Sequence, residues 1–385
     1  MLTRDTDGSI YDIMAGTTIH RVEGQVIYAS QGARIFRSEN GGAIWKEDGT
    51  IGMPAWLTRV AAFTLLKRMT RGGIFNVLPI RDGARLCIAR KMILRAEPES
   101  SVYRISKHIT KGSRPLNLCL TPDGQIYWGE YFLNLRRSEA IRIFCSKDGG
   151  RNWEVVHTFA KGSVCHVHRI VHDPYDNAFL VCTGDRDQEV AILRTDDGFR
   201  TLRPIVYGDQ KYRTTSLIAR PDCILYGTDS PNGENYVMAL DRKSGSADKV
   251  QRLPGPVLYG CQVGNRVVFA TMVEKQHHEV SLWVGNENGF SKVTHLKARK
   301  WNRAVRELIG YPTAILPEGA SNWPNLYFTP VGTELHDGSL VRIDLSRTAG
   351  IERNHHGDTE HTEECNGGEV FSPVGRRRLE KKSVP

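Results

Sequence analysis

The chain has 385 residues, 40% hydrophobic and 25% charged, which is enough apolar surface for a large core and rules out wholesale disorder. No run approaches the ~18 apolar residues needed to cross a bilayer, and Met1-Leu2-Thr3-Arg4-Asp5 shows no secretory pattern, so a cytoplasmic address is expected. The formal charge is +9, yet residues 349–385 carry six Lys/Arg against seven Asp/Glu, so the basic excess lies in the body and favours an anionic partner. No RNP motif, helix-turn-helix pattern or zinc finger points to nucleic acid, which is not an expected partner. Eight cysteines (Cys87, Cys119, Cys145, Cys165, Cys182, Cys223, Cys261 and Cys365) occur singly, without CxxC. They read as reduced structural thiols.

In chain order, strand-type runs alternate with turn residues. Residues 9–13 open the pattern, and a first unit follows around residues 25–45. Behind Pro54, residues 56–69 carry apolar side chains at helical spacing, which predicts a helical insertion over about 54–70 packed on the body. A second unit spans 73–105, and a third holds runs at 115–120, 125–131 and 141–144. The fourth has runs at 166–171, 178–185 and 191–194, and the fifth at 214–219 and 223–229. A sixth follows at 257–261, 267–274 and 281–284, and a seventh at 325–329 and 340–344. Seven units at the ~40–50-residue period of four-stranded blades predict an all-β, seven-bladed β-propeller over residues 1–346, with residues 9–13 completing the last blade. Residues 347–385 are polar and aperiodic and read as a disordered tail.

Two stretches share one pattern: Ser38-Glu39-Asn40-Gly41-Gly42-Ala43-Ile44-Trp45 and Ser146-Lys147-Asp148-Gly149-Gly150-Arg151-Asn152-Trp153. Thr195-Asp196-Asp197-Gly198-Phe199-Arg200-Thr201-Leu202 is a degenerate third copy, and Gly285-Asn286-Glu287-Asn288-Gly289-Phe290 keeps only the Asn and Gly. The Ser/Thr and Asp/Asn side chains suit bonds to turn backbone, glycine supplies positive φ, and the aromatic plugs between blades. That is a folding device. The pattern resembles the Asp-box, or BNR repeat, of sialidase-like β-propellers. The resemblance implies boxes joining third and fourth strands on one face. Ligands then sit on the opposite face, at first-strand starts and second-strand ends.

First-strand starts supply Arg114 and Asn117, His166 and His168, Tyr212 and Arg213; second-strand ends supply Glu130, Tyr131, Asp185, Asp229 and Glu274. Residues two apart on a strand point the same way, so His166 and His168 share a face. Polar convergence of this kind in a concavity is the starting point for a site. The expected catalytic set is His166, His168, Tyr212, Glu130 and Asp185. Arg213, Arg114, Asn117, Tyr131, Asp229 and Glu274 are expected to bind substrate. The family resemblance implies a glycan-directed site, but the Arg-Ile-Pro motif of sialidases is missing, with Arg34-Ile35-Phe36-Arg37 in the first unit. A typical sialidase is therefore not expected. Paired carboxylates suit a glycoside hydrolase; Arg213 with Tyr212 or His166 suits a lyase acting on a uronate. The expectation is one of these two enzymes on an acidic polysaccharide, against a non-catalytic glycan-binding or assembly propeller. No cofactor is expected, and a divalent metal on His166, His168 and Asp185 is the lesser alternative.

Overall fold

A computed structural model describes residues 10–52, 73–231, 233–274, 278–301, 305, 306 and 309–347. The expected helical insertion over 54–70, Cys365 and the tail beyond 347 lie outside these residues. β1 (Ile10–Met14) comes first. An antiparallel meander follows it: β2 (Thr18–Gly24), β3 (Val26–Gln31), β4 (Arg34–Ser38) and β5 (Lys46–Ile51). The next is β6 (Ile74–Pro79), β7 (Arg85–Ala89), β8 (Met92–Ala96) and β9 (Val102–His108). Then come β10 (Cys119–Leu120), β11 (Ile126–Gly129), β12 (Ile141–Ser146) and β13 (Glu154–Phe159). The fourth is β14 (Val167–Asp173), β15 (Ala178–Thr183), β16 (Ala191–Thr195) and β17 (Arg203–Tyr207). β18 (Ser216–Ala219), β19 (Cys223–Gly227), β20 (Asn235–Asp241) and β21 (Ala247–Leu253) form the next. β22 (Val257–Val263), β23 (Arg266–Thr271), β24 (Glu279–Asn286) and β25 (Gly289–Lys297) repeat the pattern. β26 (Thr313–Ile315), β27 (Glu318–Ser321), β28 (Asn325–Val331) and β29 (Leu340–Asp344) end it, and β1 pairs antiparallel with β29. The first described strand thus completes the last sheet, as the sequence expects of residues 9–13.

The second strands are short, largely apolar runs buried on both faces, as in Ile126–Gly129 and Cys223–Gly227. One sheet cannot cover two apolar faces alone, so each packs against its neighbours. Tyr28 and Ile35 meet Val77 and Leu94; Leu86 and Ile93 meet Ile126 and Trp128; Ile143 meets Ile170 and Val181. Leu180 and Ile192 meet Leu217 and Tyr226, and Leu225 and Val237 meet Val257 and Phe269. β26 packs on β23 and β24, and Tyr327 and Leu340 meet Ile19 and Ile27, which brings the packing back to its start. First strands touch one another around the middle, while fourth strands such as β13 lie largely exposed. Six meanders share a bulge where the third strand meets the fourth, at Ile35/Phe36, Ile93/Leu94, Ile143/Phe144, Ile192/Leu193, Val237/Met238 and Leu282/Trp283. A bulge adds local twist. Between the inner strands, β27 pairs parallel with both β2 and β22. Arg169 of β14 reaches Glu318 of β27 at 2.7 Å, so this segment spans the central space.

The three repeated turns share a side-chain bond from the Ser or Thr to the Asp or Asn and a backbone N–H donated to that Asp or Asn. Ser146 Oγ donates to Asp148 Oδ1 at 2.8 Å and accepts from the Gly150 N–H at 2.7 Å, while Asp148 Oδ1 accepts from the N–H groups of Arg151 and Asn152. Ser38 and Asn40 repeat this around Gly42 and Ile44. Thr195 and Asp197 repeat the side-chain bond and the acceptance from Thr201 N–H. Gly149 and Gly150 have φ of +70° and +82°, and a Cβ on Gly150 would lie 2.7 Å from Leu86 of the neighbouring sheet. Trp153 Nε1–H donates to Ser106 Oγ of β9 at 2.8 Å, tying the turn across the sheet boundary. The segment Gly285–Phe290 differs. Asn286 pairs with Gly289 in a tight hairpin between β24 and β25, with no box wiring. Its Asn and Gly serve hairpin geometry instead.

Burial raises the pKa of Asp148, yet bonds from Asn152, Ser146 and the Arg151 N–H prevail and lower it to about 2. The folded pKa is depressed, so this stability is present above the unfolded value near 4 and is lost as pH falls towards 2. Asp148→Ala should cost about 1–2 kcal/mol in denaturant unfolding at pH 7. That deficit should shrink at pH 3, and a deficit independent of pH would contradict the wiring.

Candidate functional site

The three repeated turns join third to fourth strands, so antiparallel alternation puts first-strand starts and second-strand ends at the opposite end of the sheets. At that end, three adjacent meanders bring charged and aromatic side chains together. Cys165 and His166 immediately precede β14, and His168 is its second residue. The β14–β15 register shifts between Val167 and Arg169, leaving His168 as the extra residue of a bulge. Bulges re-aim side chains beside sites. His166 and His168 therefore meet beside a bulge, on the side where residues two apart on an extended chain are expected to face. Asp185 follows β15, Arg213 precedes β18, and Asp229 follows β19.

His166 Nδ1 meets the Phe132 carbonyl at 3.0 Å, which leaves Nε2 to face the cluster. That Nε2 lies 2.8 Å from His168 Nε2 and 3.4 Å from Asp185 Oδ1; His168 Nε2 lies 3.3 Å from the same oxygen. Arg213 Nη2 stands between two carboxylates, 3.2 Å from Asp185 Oδ1 and 3.3 Å from Asp229 Oδ2. The Tyr131 ring packs on His166 with centroids 4.3 Å apart. His166 and His168 are buried, at 4% and 2% exposure, and Asp229 is 7% exposed. Asp185 and Arg213 keep part of their side chains open, at 26% and 17%.

These surroundings drive neighbouring groups apart. Burial pulls His166 down, but the Asp185 carboxylate and the Cys165 sulfur outweigh it and raise its pKa to about 9. For His168, burial prevails over the bond to Asp185, and its pKa falls to about 4. Burial favours protonation of Asp185, yet His166, His168 and Arg213 hold it well below the usual carboxylate range. Burial raises Asp229 to about 7 against Arg213, with Glu274 and Asp185 adding to the rise. Burial, then Asp185 and Asp229, raises Tyr131. Perturbed groups clustered in this way mark candidate sites.

The remaining expected residues divide. Arg114 stacks on Phe75 at 4.1 Å and acts on Tyr131, and Glu274 acts on Asp229, so both border the cluster. Glu130 does not join it: the carboxylate is buried, accepts from the Arg142 N–H at 2.9 Å and pairs with the Arg142 guanidinium at 2.6 Å. Its charge is spent holding β11 to β12. Asn117 is buried too, and its amide bonds both backbone groups of Ile170, pinning the chain to β14. Tyr212 closes a short 3-10 turn and packs into the core shared by Leu217 and Tyr226. Sequence reasoning missed Cys165, whose sulfur lies within 4.8 Å of ligating atoms of His166 and Asp185. Its adjacency in Cys165-His166-Val167-His168 was the available signal.

Folded Asp229 keeps its proton up to about pH 7, whereas an unfolded aspartate releases it near 4. Its contribution to stability is thus present at low pH and lost as pH rises through about 7. Asp229→Asn, which mimics the protonated acid, should raise the melting temperature relative to wild type more at pH 8 than at pH 5. An equal shift at both pH values would show that Asp229 ionises normally.

No family model matches the chain, and no curated protein matches it in sequence. Solved structures do resemble it. An ancestral GH74 enzyme superposes with a TM-score of 0.50 at 13% identity, covering 75% of this chain and 40% of that one. This chain therefore spans well under half of that enzyme's length. A chain of the mitotic checkpoint complex gives a TM-score of 0.53 at 10% identity, covering 87% of this chain and 93% of that one. YCF48 bound to D1 peptide gives 0.51 at 13% identity, covering 87% and 94%. At these identities the likeness concerns fold alone, and the fold is a β-propeller.

Proposed function

We propose that this chain is a seven-bladed propeller of the Asp-box class whose mouth binds an acidic glycan and hydrolyses its glycosidic bonds. The six meanders from β2 to β25 are six blades, and β26, β28, β29 and β1 make the seventh. The turns after Phe36, Phe144 and Leu193 carry the repeat signature. One observation carries the catalytic reading: Arg213 Nη2 lies between Asp185 and Asp229, two carboxylates whose surroundings drive their pKa values in opposite directions. Glycoside hydrolysis needs one carboxylic acid that still holds its proton and a second carboxylate that stays ionised. Asp229 fits the proton donor to the leaving oxygen. Asp185 supplies fixed negative charge beside a developing oxocarbenium ion. Arg213 and Arg114 offer guanidinium groups to a sugar carboxylate. Elimination is less well supported, because Tyr212 packs against the core and His166 is held protonated, so neither candidate base is poised to take a proton.

The second reading is a propeller that binds without reaction. It draws on the pairing of Glu130 with Arg142 and of Arg213 with two aspartates, since charges already paired within the protein serve stability as well as chemistry. Incubation with neutral and uronate-containing polysaccharides separates the readings. The expected result is new reducing ends from a uronate polymer, without the absorbance of an unsaturated sugar. Asp229→Asn should lower kcat/KM by about 10²-fold or more, and wild-type kcat/KM should fall as pH rises past about 7. Unsaturated products would assign elimination instead, and binding without turnover across the panel would overturn catalysis.

A further inference from the structure

At the mouth, three ligating atoms from one bulged strand and its partner form a small triangle. His166 Nε2, His168 Nε2 and Asp185 Oδ1 are separated by 2.8, 3.4 and 3.3 Å. Donors held about 2.0–2.1 Å from a tetrahedral zinc ion stand about 3.4 Å apart, which two of the three edges match. Cys165 adds a soft donor, with its sulfur within 4.8 Å of a His166 ring nitrogen and an Asp185 oxygen. From this geometry we propose that Cys165, His166, His168 and Asp185 form a binding site for a divalent transition-metal ion.

The donor types fit a borderline ion such as zinc or cobalt, since imidazole, thiolate and carboxylate together disfavour magnesium and calcium. His166 has the outer support that a ligand requires. Its Nδ1 meets the Phe132 carbonyl, which keeps the proton on Nδ1 and leaves Nε2, facing the triangle, as the nitrogen that would give up its proton to a metal ion. His168 Nδ1 has no such partner among the described residues, so this ring is the freer of the two to move and lengthen the short edge. Arg213 contacts the Asp185 oxygen from outside the triangle at 3.2 Å and would remain as an outer partner of the ligating carboxylate. The proposal concerns metal binding and does not depend on the hydrolytic reading.

The test is cobalt(II) titration of the metal-stripped full-length protein, followed by visible and near-ultraviolet absorbance, with elemental analysis of zinc after dialysis. His355, His356 and His361 are replaced by Ala throughout, so that the C-terminal histidines cannot supply a competing site. The expected result is about one ion per chain, intense ligand-field bands of a four-coordinate centre, and a thiolate-to-cobalt charge-transfer band. Cys165→Ser should abolish the charge-transfer band, and His168→Gln should weaken binding by about tenfold or more, in line with loss of a ligand. Absence of bound zinc and of cobalt bands in a protein with an unaltered melting curve would overturn the site. So would a charge-transfer band that persists in Cys165→Ser.

Discussion

The structure depends on one constraint: a four-stranded meander with apolar runs on both faces has nowhere to hide them except against similar meanders. Trp128 shows this. It is buried in β11, stacks on Phe144 of its own sheet at 4.3 Å and sits in a core with Leu86 and Ile93 of the preceding one. Burying a side chain of this size contributes about 1.5–3 kcal/mol, and every sheet boundary repeats the arrangement with other residues. At the last boundary Tyr327 and Leu340 meet Ile19 and Ile27, and β1, hydrogen-bonded to β29, adds Ile13 and Met14 to that core. β27 adds a further tie by pairing with β2 and β22 at once.

That closure is what brings distant residues to one mouth. Antiparallel sheets packed face to face set first-strand starts side by side, so Asp185, Arg213 and Asp229, from two meanders, meet at one guanidinium. The opposite end holds the three repeated turns, whose bonds are made between a serine or threonine, an aspartate or asparagine, and nearby backbone N–H groups. Stability devices and chemistry therefore occupy different ends of the same strands. Changes at one end need not compromise the other, because such distant sites are energetically close to additive.

Much of this arrangement is legible in the sequence where burial leaves a pattern. Second strands such as Ile126–Gly129 and Ala178–Thr183 are largely apolar runs, and the repeated turns mark where three of the third strands end. The outer strands are harder to see: β13, β17, β21 and β25 are largely exposed, so their residues carry little hydrophobic alternation. β27, Glu-Gly-Ala-Ser, has turn composition and becomes a strand only because two inner edges flank it. At the site, position at a strand end fixes height but not direction. Glu130 and Tyr131 are neighbours, yet one turns to Arg142 and the other to His166. Tyr212 and Arg213 divide in the same way, between core and mouth. The bulge at His168 is equally invisible in sequence, since alternation alone would have placed the two histidines on one face without it.

The node of the mouth is Asp185. One of its oxygens is within 3.4 Å of His166, His168 and Arg213, so the carboxylate balances several positive or proton-bearing groups at once. Removing it would leave buried imidazoles and a guanidinium without their anion, a far larger disturbance than the loss of one contact. Asp229 stands at the edge of this network, paired with Arg213, and Cys165 stands at the opposite edge beside His166. A substitution at Asp185 cannot separate catalysis, metal binding and folding, because all three pass through the same oxygen. The two edges can, since each touches one branch of the network and leaves the other paired.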